Sequence, residues 1–256
     1  MEETNTRSTA KRNAVVTGAN KGIGLEICRQ LASNGVEVIL TARDEQGGIE
    51  AVENLRQSGV SNFVFHQLDV KDSASAFIET HFGKLDILVN NAGDGGIIMN
   101  SEAFRAFRPV DRRSVTENNA SLLKGIMDQT YEKTKECLET NFYRTKRVTE
   151  ALLPLLQLSK SARIVNMSSF YGQLKYIGNE KAQAELGNIE SLTVERLDET
   201  VFKVNCVHPG LVKTDMICNT GSMTVEEGAR APVMLAPSPD DGPSGLFYDE
   251  MNVSSF

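Results

Sequence analysis

The most constraining feature of this chain is the octapeptide Thr17-Gly18-Ala19-Asn20-Lys21-Gly22-Ile23-Gly24, which follows an apolar run at residues 14–17. Past it, Ile23, Ile27 and Leu31 recur four apart, the spacing of one helix face, and Asn34-Gly35 supplies a stop. A glycine turn between a strand and a helix is where a parallel sheet offers unpaired backbone N–H groups to a diphosphate. Gly18 permits the tight turn, Gly22 lets the backbone approach the phosphates, and Gly24 allows the helix to pack closely. Asn20, Lys21 and Ile23 lie in the same turn. The strand–turn–helix context is what gives a glycine triplet meaning.

The remainder repeats this unit. Strand-like runs at 36–41, 63–70, 85–89, 163–167, 204–207 and 245–248 alternate with helical stretches near 51–55, at 73–82, at 130–158 and at 224–235. Such alternation predicts an α/β fold, a Rossmann-type doubly wound parallel sheet with helices on both faces. With 256 residues, a single domain over 12–256 is expected, preceded by a polar, flexible tail over 1–11. Residues 94–127 show no clean periodicity, and a loop of that length is functional or poorly ordered. Its Arg105, Arg108, Arg112 and Arg113 are expected on a solvated face. Cys28, Cys137, Cys206 and Cys218 form no CxxC pair and are expected to be buried free thiols, with no metal site.

The cofactor can be narrowed further. NAD sites place a carboxylate after the second strand to hold the ribose hydroxyls, and that charge would repel a 2′-phosphate. Here the position holds Thr41-Ala42-Arg43. The Arg43 fork and the Lys21 ammonium suit a phosphate, so NADP(H) is the expected cofactor. A formal charge of -7 opposes general nucleic-acid binding. The polar start and the absence of any apolar run near ~18 residues predict a cytoplasmic protein with no membrane segment.

With TGANKGIG at 17–24, Leu68-Asp69-Val70, NNAG at 90–93, Asn141, Ser168-Ser169 and PG at 209–210, the chain resembles the short-chain dehydrogenase/reductase family. TGANKGIGLEICRQLA, FGKLDILVNNAG and HPGLVKTDM resemble its monomeric carbonyl reductase branch, which includes plant menthone/neomenthol and salutaridine reductase-like enzymes. The resemblance spans roughly residues 12 to 250. It implies an NADPH-dependent reductase of small hydrophobic ketones or aldehydes that works as a monomer. By the same resemblance, Asp69, followed by Val70, meets the adenine, and Asn91, Ala92 and Gly93 line the nucleoside and ribose. Pro209, Gly210 and Thr214 embrace the nicotinamide end. Asn141 holds a proton-relay water, and Ser169 hydrogen-bonds the substrate carbonyl, with Ser168 structural.

Reduction of a carbonyl also needs a proton donor. The family uses a Tyr and a Lys four residues later, on the helix before the sixth strand, so that the ammonium favours the ionised phenol. No pair at that spacing from Ser169 occurs before Val204. Tyr171 and Lys175 have the i,i+4 relation but leave the strand too early, and Tyr131 with Lys135 reads as a solvated helix face. Residues 172–198 resemble the branch's insertion and run almost directly into the sixth strand. The helix before that strand is therefore read as shortened or replaced, without the Tyr-x-x-x-Lys pair. Arg144, where a glycine is usual, is expected to crowd the substrate side. A catalytically impaired NADP(H)-binding isoform is the alternative.

Overall fold

The computed structural model describes residues 11–68, 73–106, 125–187 and 202–255. Asp69, Val70, Arg108, Arg112, Arg113, most of the expected tail and residues 188–201 lie outside the described residues.

Strand β1 (Asn13–Val16) is buried at every position, as a strand covered on both faces must be. Its side chains alternate between two cores. Ala14 and Val16 pack with Val38 and Leu40 of β2 (Glu37–Ala42), with Ile27, Cys28 and Leu31 of α1 (Gly22–Ser33), and with Ala51 and Leu55 of α2 (Glu45–Gln57). Val15 faces the opposite core. There it joins Ile39, Ile78 of α3 (Ser73–Phe82), Leu88 of β4 (Ile87–Asn90), and Val148, Leu152 and Leu156 of α6 (Thr145–Gln157). Burying side chains of this size contributes about 1.5 to 3 kcal/mol each, so the period-2 pattern of β1 fixes which helix lies on which face.

Strand β3 (Phe63–Gln67) ends the sheet beyond β2, and β4 lies on the other side of β1. Beyond β4 come β7 (Ala162–Met167), β8 (Phe202–His208), β9 (Phe247–Asp249) and β10 (Asn252–Ser254), giving the order β10-β9-β8-β7-β4-β1-β2-β3. All pairings are parallel except that of β10 with β9. The chain thus turns in opposite directions from β1, and the crevice at the carboxyl ends of β1 and β4 is the switch point where such sheets take ligands.

Several elements differ from expectation. Residues 94–127 contain a short antiparallel ribbon of β5 (Ile98–Met99) and β6 (Met127–Asp128), with α4 (Ser101–Ala106) between them. The single helix expected at 130–158 is α5 (Tyr131–Leu138), a π-helical turn (Glu139–Arg144) and α6. Such a turn widens the winding locally without disturbing the apolar period enough to be read. The helix expected at 224–235 is two, α8 (Val225–Gly228) and α9 (Arg230–Leu235), because Pro232 has no N–H to give Gly228. Only Cys28 and Cys218 are buried among the four free thiols; Cys137 and Cys206 are half-exposed.

In the crossover from β7 to β8 the described residues hold two 3₁₀ turns (Phe170–Gly172 and Leu174–Tyr176) and the eight-residue α7 (Glu180–Gly187). Along β8, Asn205 and Val207 are buried, whereas Phe202, Val204 and Cys206, alternating toward the α6 face, are half-buried. Among the described residues no helix is long and apolar enough to cross a membrane, and no His/Cys/Asp/Glu cluster has the arrangement of a metal site.

Candidate functional site

The glycine turn leaves β1 with its first bond crossing to β4, Thr17 N–H donating to the Val89 carbonyl at 3.0 Å. Gly18 adopts φ +62°, and a Cβ there would lie 2.8 Å from Ala92 Cα. Backbone meets backbone, so this glycine answers both to its torsion and to its neighbour. The Thr17 hydroxyl accepts from the N–H groups of Asn91 and Ala92, both at 3.0 Å. In return the Asn91 amide donates to the carbonyls of Thr17 (2.9 Å) and Gly18 (3.1 Å). Gly24 leaves room for that amide, since a Cβ would stand 2.3 Å from Asn91 Nδ2. Asn91 thus locks the turn to the loop after β4, a role that its place in the NNAG motif alone does not reveal.

At the start of α1, Lys21 caps with backbone only, and no acidic side chain lies in the first turn. The first intrahelical donor among the turn's bonds is Leu25 N–H, to the Lys21 carbonyl. The N–H groups of Gly22, Ile23 and Gly24 therefore point outward at the positive end of the helix dipole, as a diphosphate requires. Facing them across the crevice is the loop after β8. Gly210 takes φ +87°, and the Thr214 methyl lies 3.5 Å from where a Gly22 Cβ would be. Lys21 Nζ pairs with Asp215 at 2.9 Å, and that partner, invisible in the sequence, holds the Asp215 carboxyl below its usual range.

Beyond the turn, Asn20 reaches toward Gly47 at the start of α2. Arg43, directly after β2, is exposed and pairs with no carboxylate among the described residues, its neighbour Asp44 included. Of the two basic charges expected for a 2′-phosphate, Arg43 thus stands directly after β2, while the Lys21 ammonium is engaged by Asp215 of the loop after β8.

On the other side of the crevice Asn141 lies within the π-helical turn. Its amide donates to the Asp94 carbonyl at 2.9 Å and its Oδ1 accepts from Asp94 N–H at 2.8 Å. This two-way clasp ties the long helix to the NNAG loop, with Gly93 alongside, since a Cβ there would be 3.7 Å from Asn141 Oδ1. Cys137 adds a weaker bond from Sγ to the Asp94 carbonyl at 3.3 Å, and burial pushes its thiol pKa up. Asp94 was not singled out by sequence; only its position after Gly93 hinted at it. Arg144, expected to crowd the substrate side, pairs with Glu139 at 3.6 Å.

Ser168 and Ser169 end β7. Ser168 N–H donates to Val207 at 2.7 Å and its hydroxyl sits over Gly172, a structural placement. Ser169 is exposed, and its hydroxyl accepts from Tyr171 N–H at 3.2 Å. Tyr171 itself is 61% exposed, its ring edge-on to Phe170 and Tyr176. Lys175 does not approach it as a catalytic partner would: its Nζ lies over the rings of Tyr176 (5.2 Å) and Phe170 (5.8 Å). The i,i+4 relation read from sequence fails because residues 170–176 form two 3₁₀ turns broken at Gln173, not one α-helix. Tyr131, the other tyrosine with a lysine four residues on, is 77% exposed on α5 as expected.

Comparison with known proteins agrees with this geometry. The model of the short chain dehydrogenase family matches residues 12–224. Salutaridine reductase from Papaver somniferum is 45% identical, over 97% of this chain and 97% of its own. Its solved structure superposes with a TM-score of 0.82 over 93% of this chain and 100% of that one. (+)-Neomenthol dehydrogenase from Arabidopsis thaliana is 45% identical over 96% and 98% of the two chains. A mouse protein, carbonyl reductase [NADPH] 3, is 33% identical over 91% and 94%. The match to salutaridine reductase runs over 306 aligned positions, more than the 256 residues of this chain, so that relative carries internal stretches without a counterpart here.

Proposed function

The chain belongs to the short chain dehydrogenase family, and from that premise we propose that it is an NADPH-dependent reductase of small hydrophobic ketones or aldehydes. The observation that carries the reading is the uncapped start of α1, with Lys21 and Arg43 beside it and no carboxylate at position 43. The geometry fits the cofactor: three outward N–H groups take the diphosphate, and the two basic side chains take the 2′-phosphate. When bound, NADPH supplies the hydride.

The remaining chemistry falls to side chains of this chain. Ser169, exposed at the carboxyl end of β7, turns its hydroxyl to the carbonyl oxygen, whose charge grows as the reaction proceeds. Asn141 holds the NNAG loop, and with it Ala92 and Gly93, against the nucleoside. Tyr171, exposed two residues past Ser169 and without Lys175 beside it, is the hydroxyl assigned to the proton in this reading, which the Tyr171→Phe variant tests. Asp69 and Val70 complete the adenine side by the family pattern.

A second reading, dinucleotide binding without turnover, is favoured by the placement of Lys175 on Phe170 and Tyr176 rather than on Tyr171. Two measurements separate the readings. NADPH fluorescence titration tests the cofactor site, and NADPH consumption with a panel of small cyclic and aromatic ketones tests turnover. Consumption that Tyr171→Phe and Ser169→Ala each lower at least tenfold supports the reductase. Binding without consumption supports the second reading, and absence of NADPH binding refutes both.

A further inference from the structure

Lys21 is the one residue of the glycine turn that carries charge, and it is already paired. Its partner Asp215 is 194 positions away in the chain, so the 2.9 Å contact closes one wall of the crevice onto the other. On one wall stands the turn between β1 and α1; on the other stands the loop after β8, whose Thr214 methyl approaches Gly22. The two side chains remain 69% and 67% exposed, so water compensates either partner when the pair opens. Arg43, by contrast, pairs with no carboxylate among the described residues.

We infer that Asp215 is a specificity-determining residue that tempers the preference for NADP(H) by competing with the 2′-phosphate for Lys21, an inference that rests on the dinucleotide reading above. A dinucleotide that ends in a ribose hydroxyl leaves the Lys21–Asp215 pair intact. A 2′-phosphate offers Lys21 a doubly charged partner with three acceptor oxygens, and Lys21 changes hands. The exchange costs the protein one exposed ion pair, a contact of modest strength that salt weakens. Asp215 therefore reduces NADPH affinity by the strength of that pair and leaves NADH affinity alone. Because Asp215 begins the turn Asp215–Ile217, the same exchange releases the loop after β8 from the glycine turn only when the phosphorylated cofactor is bound.

The test is a double-mutant cycle read by fluorescence titration of NADPH and NADH at low ionic strength, using the full chain, Asp215→Asn, Lys21→Met and the double variant. Both positions changed are exposed, and a thermal melt verifies that each variant is folded. In Asp215→Asn the ratio of NADH to NADPH dissociation constants is expected to rise about two- to fivefold, and the gain should disappear on the Lys21→Met background and shrink in high salt. An unchanged ratio overturns the competition. So does an equal tightening of both cofactors, or a gain that survives Lys21→Met, because either would mark a general loss of negative charge near the diphosphate. If the unmodified chain binds neither cofactor, the dinucleotide reading itself is refuted, a result distinct from binding with an unchanged ratio.

Discussion

Gly18→Ala isolates the physical demand that the cofactor turn makes on sequence. Two costs add. The first is conformational, because Gly18 sits at φ +62° and a left-handed residue other than glycine costs about 1 to 2 kcal/mol. The second is steric, because the new Cβ would stand 2.8 Å from Ala92 Cα and 3.0 Å from Ala92 Cβ. That neighbour is backbone held by the Thr17 hydroxyl, so relief requires the turn to lift away from residues 91 and 92. Lifting loosens up to four bonds between the two segments, each contributing about 0.5 to 1.5 kcal/mol. A control with the first cost alone exists at Gly35, where φ is +83° and a Cβ would meet nothing within 4 Å. In urea unfolding Gly35→Ala should lose about 1 to 2 kcal/mol, and Gly18→Ala should lose about 2 to 3 kcal/mol more. NADPH titration should show Gly35→Ala unchanged and Gly18→Ala weakened at least tenfold. Equal unfolding free energies for the two variants, with equal NADPH affinity, would refute the argument that the turn is pinned against Ala92.

Asn141→Ala removes the clasp on Asp94 and should lower turnover about tenfold or more while moving the unfolding free energy by about 1 to 2 kcal/mol; Asn141→Asp, which keeps the acceptor but loses the donor, should fall between, as steady-state kinetics will show. Asp86 is buried, which by itself raises its pKa, yet Lys84, Ser159 and the Asn13 N–H together hold it below the usual carboxylate range. A depressed carboxyl stabilises the fold above the unfolded value near ~4 and loses that contribution as pH falls through the folded one, so acid unfolding curves for Asp86→Asn should be flatter below about pH 4. Cys28 is fully buried and burial pushes its thiol far up, so it should resist maleimide in the folded protein while half-exposed Cys137 reacts, as mass spectrometry after partial labelling will report. Lys175→Met should cost no more than about 1 kcal/mol of stability and should leave any turnover within a factor of two; a hundredfold loss would show that Lys175 assists a proton transfer after all.

The cofactor side was legible because its determinants are local. A glycine at φ +62°, a helix start without a side-chain cap and a basic residue after β2 all lie within the first 43 residues, in an order that strand and helix periods make readable. What escaped were partners distant in sequence: Asp94 for Asn141, Asp215 for Lys21, and Asn91 as a tether of the turn. Nothing in a one-dimensional pattern announces which loop a side chain will meet across a crevice. The π-helical turn escaped for a different reason, since six residues of wider winding within a long helical stretch leave no mark in the residue types, although Asn141 there meets Asp94. Lys175 was misplaced because an i,i+4 relation presumes an α-helix, and the chain breaks at Gln173.

Neither hydrophobic core, among the described residues, draws a side chain from residues 168 to 201. The core beneath α1 and α2 is closed by β1, β2, β4 and α9, and the core beneath α3 and α6 by Ile78, Leu88, Leu152 and Leu156. Among the described residues, the crevice therefore takes its shape from elements outside residues 170–187. Its walls are the glycine turn, the NNAG loop and the loop after β8, each anchored to a strand of the main sheet. Phe202, Val204 and Cys206 are half-buried on one patch of one face. Binding and turnover are consequently separable properties of this chain: a change confined to residues 170–187 should alter the rate at which a carbonyl is reduced, while the affinity for NADPH stays where the glycine turn, Asn91 and the Lys21–Asp215 pair set it.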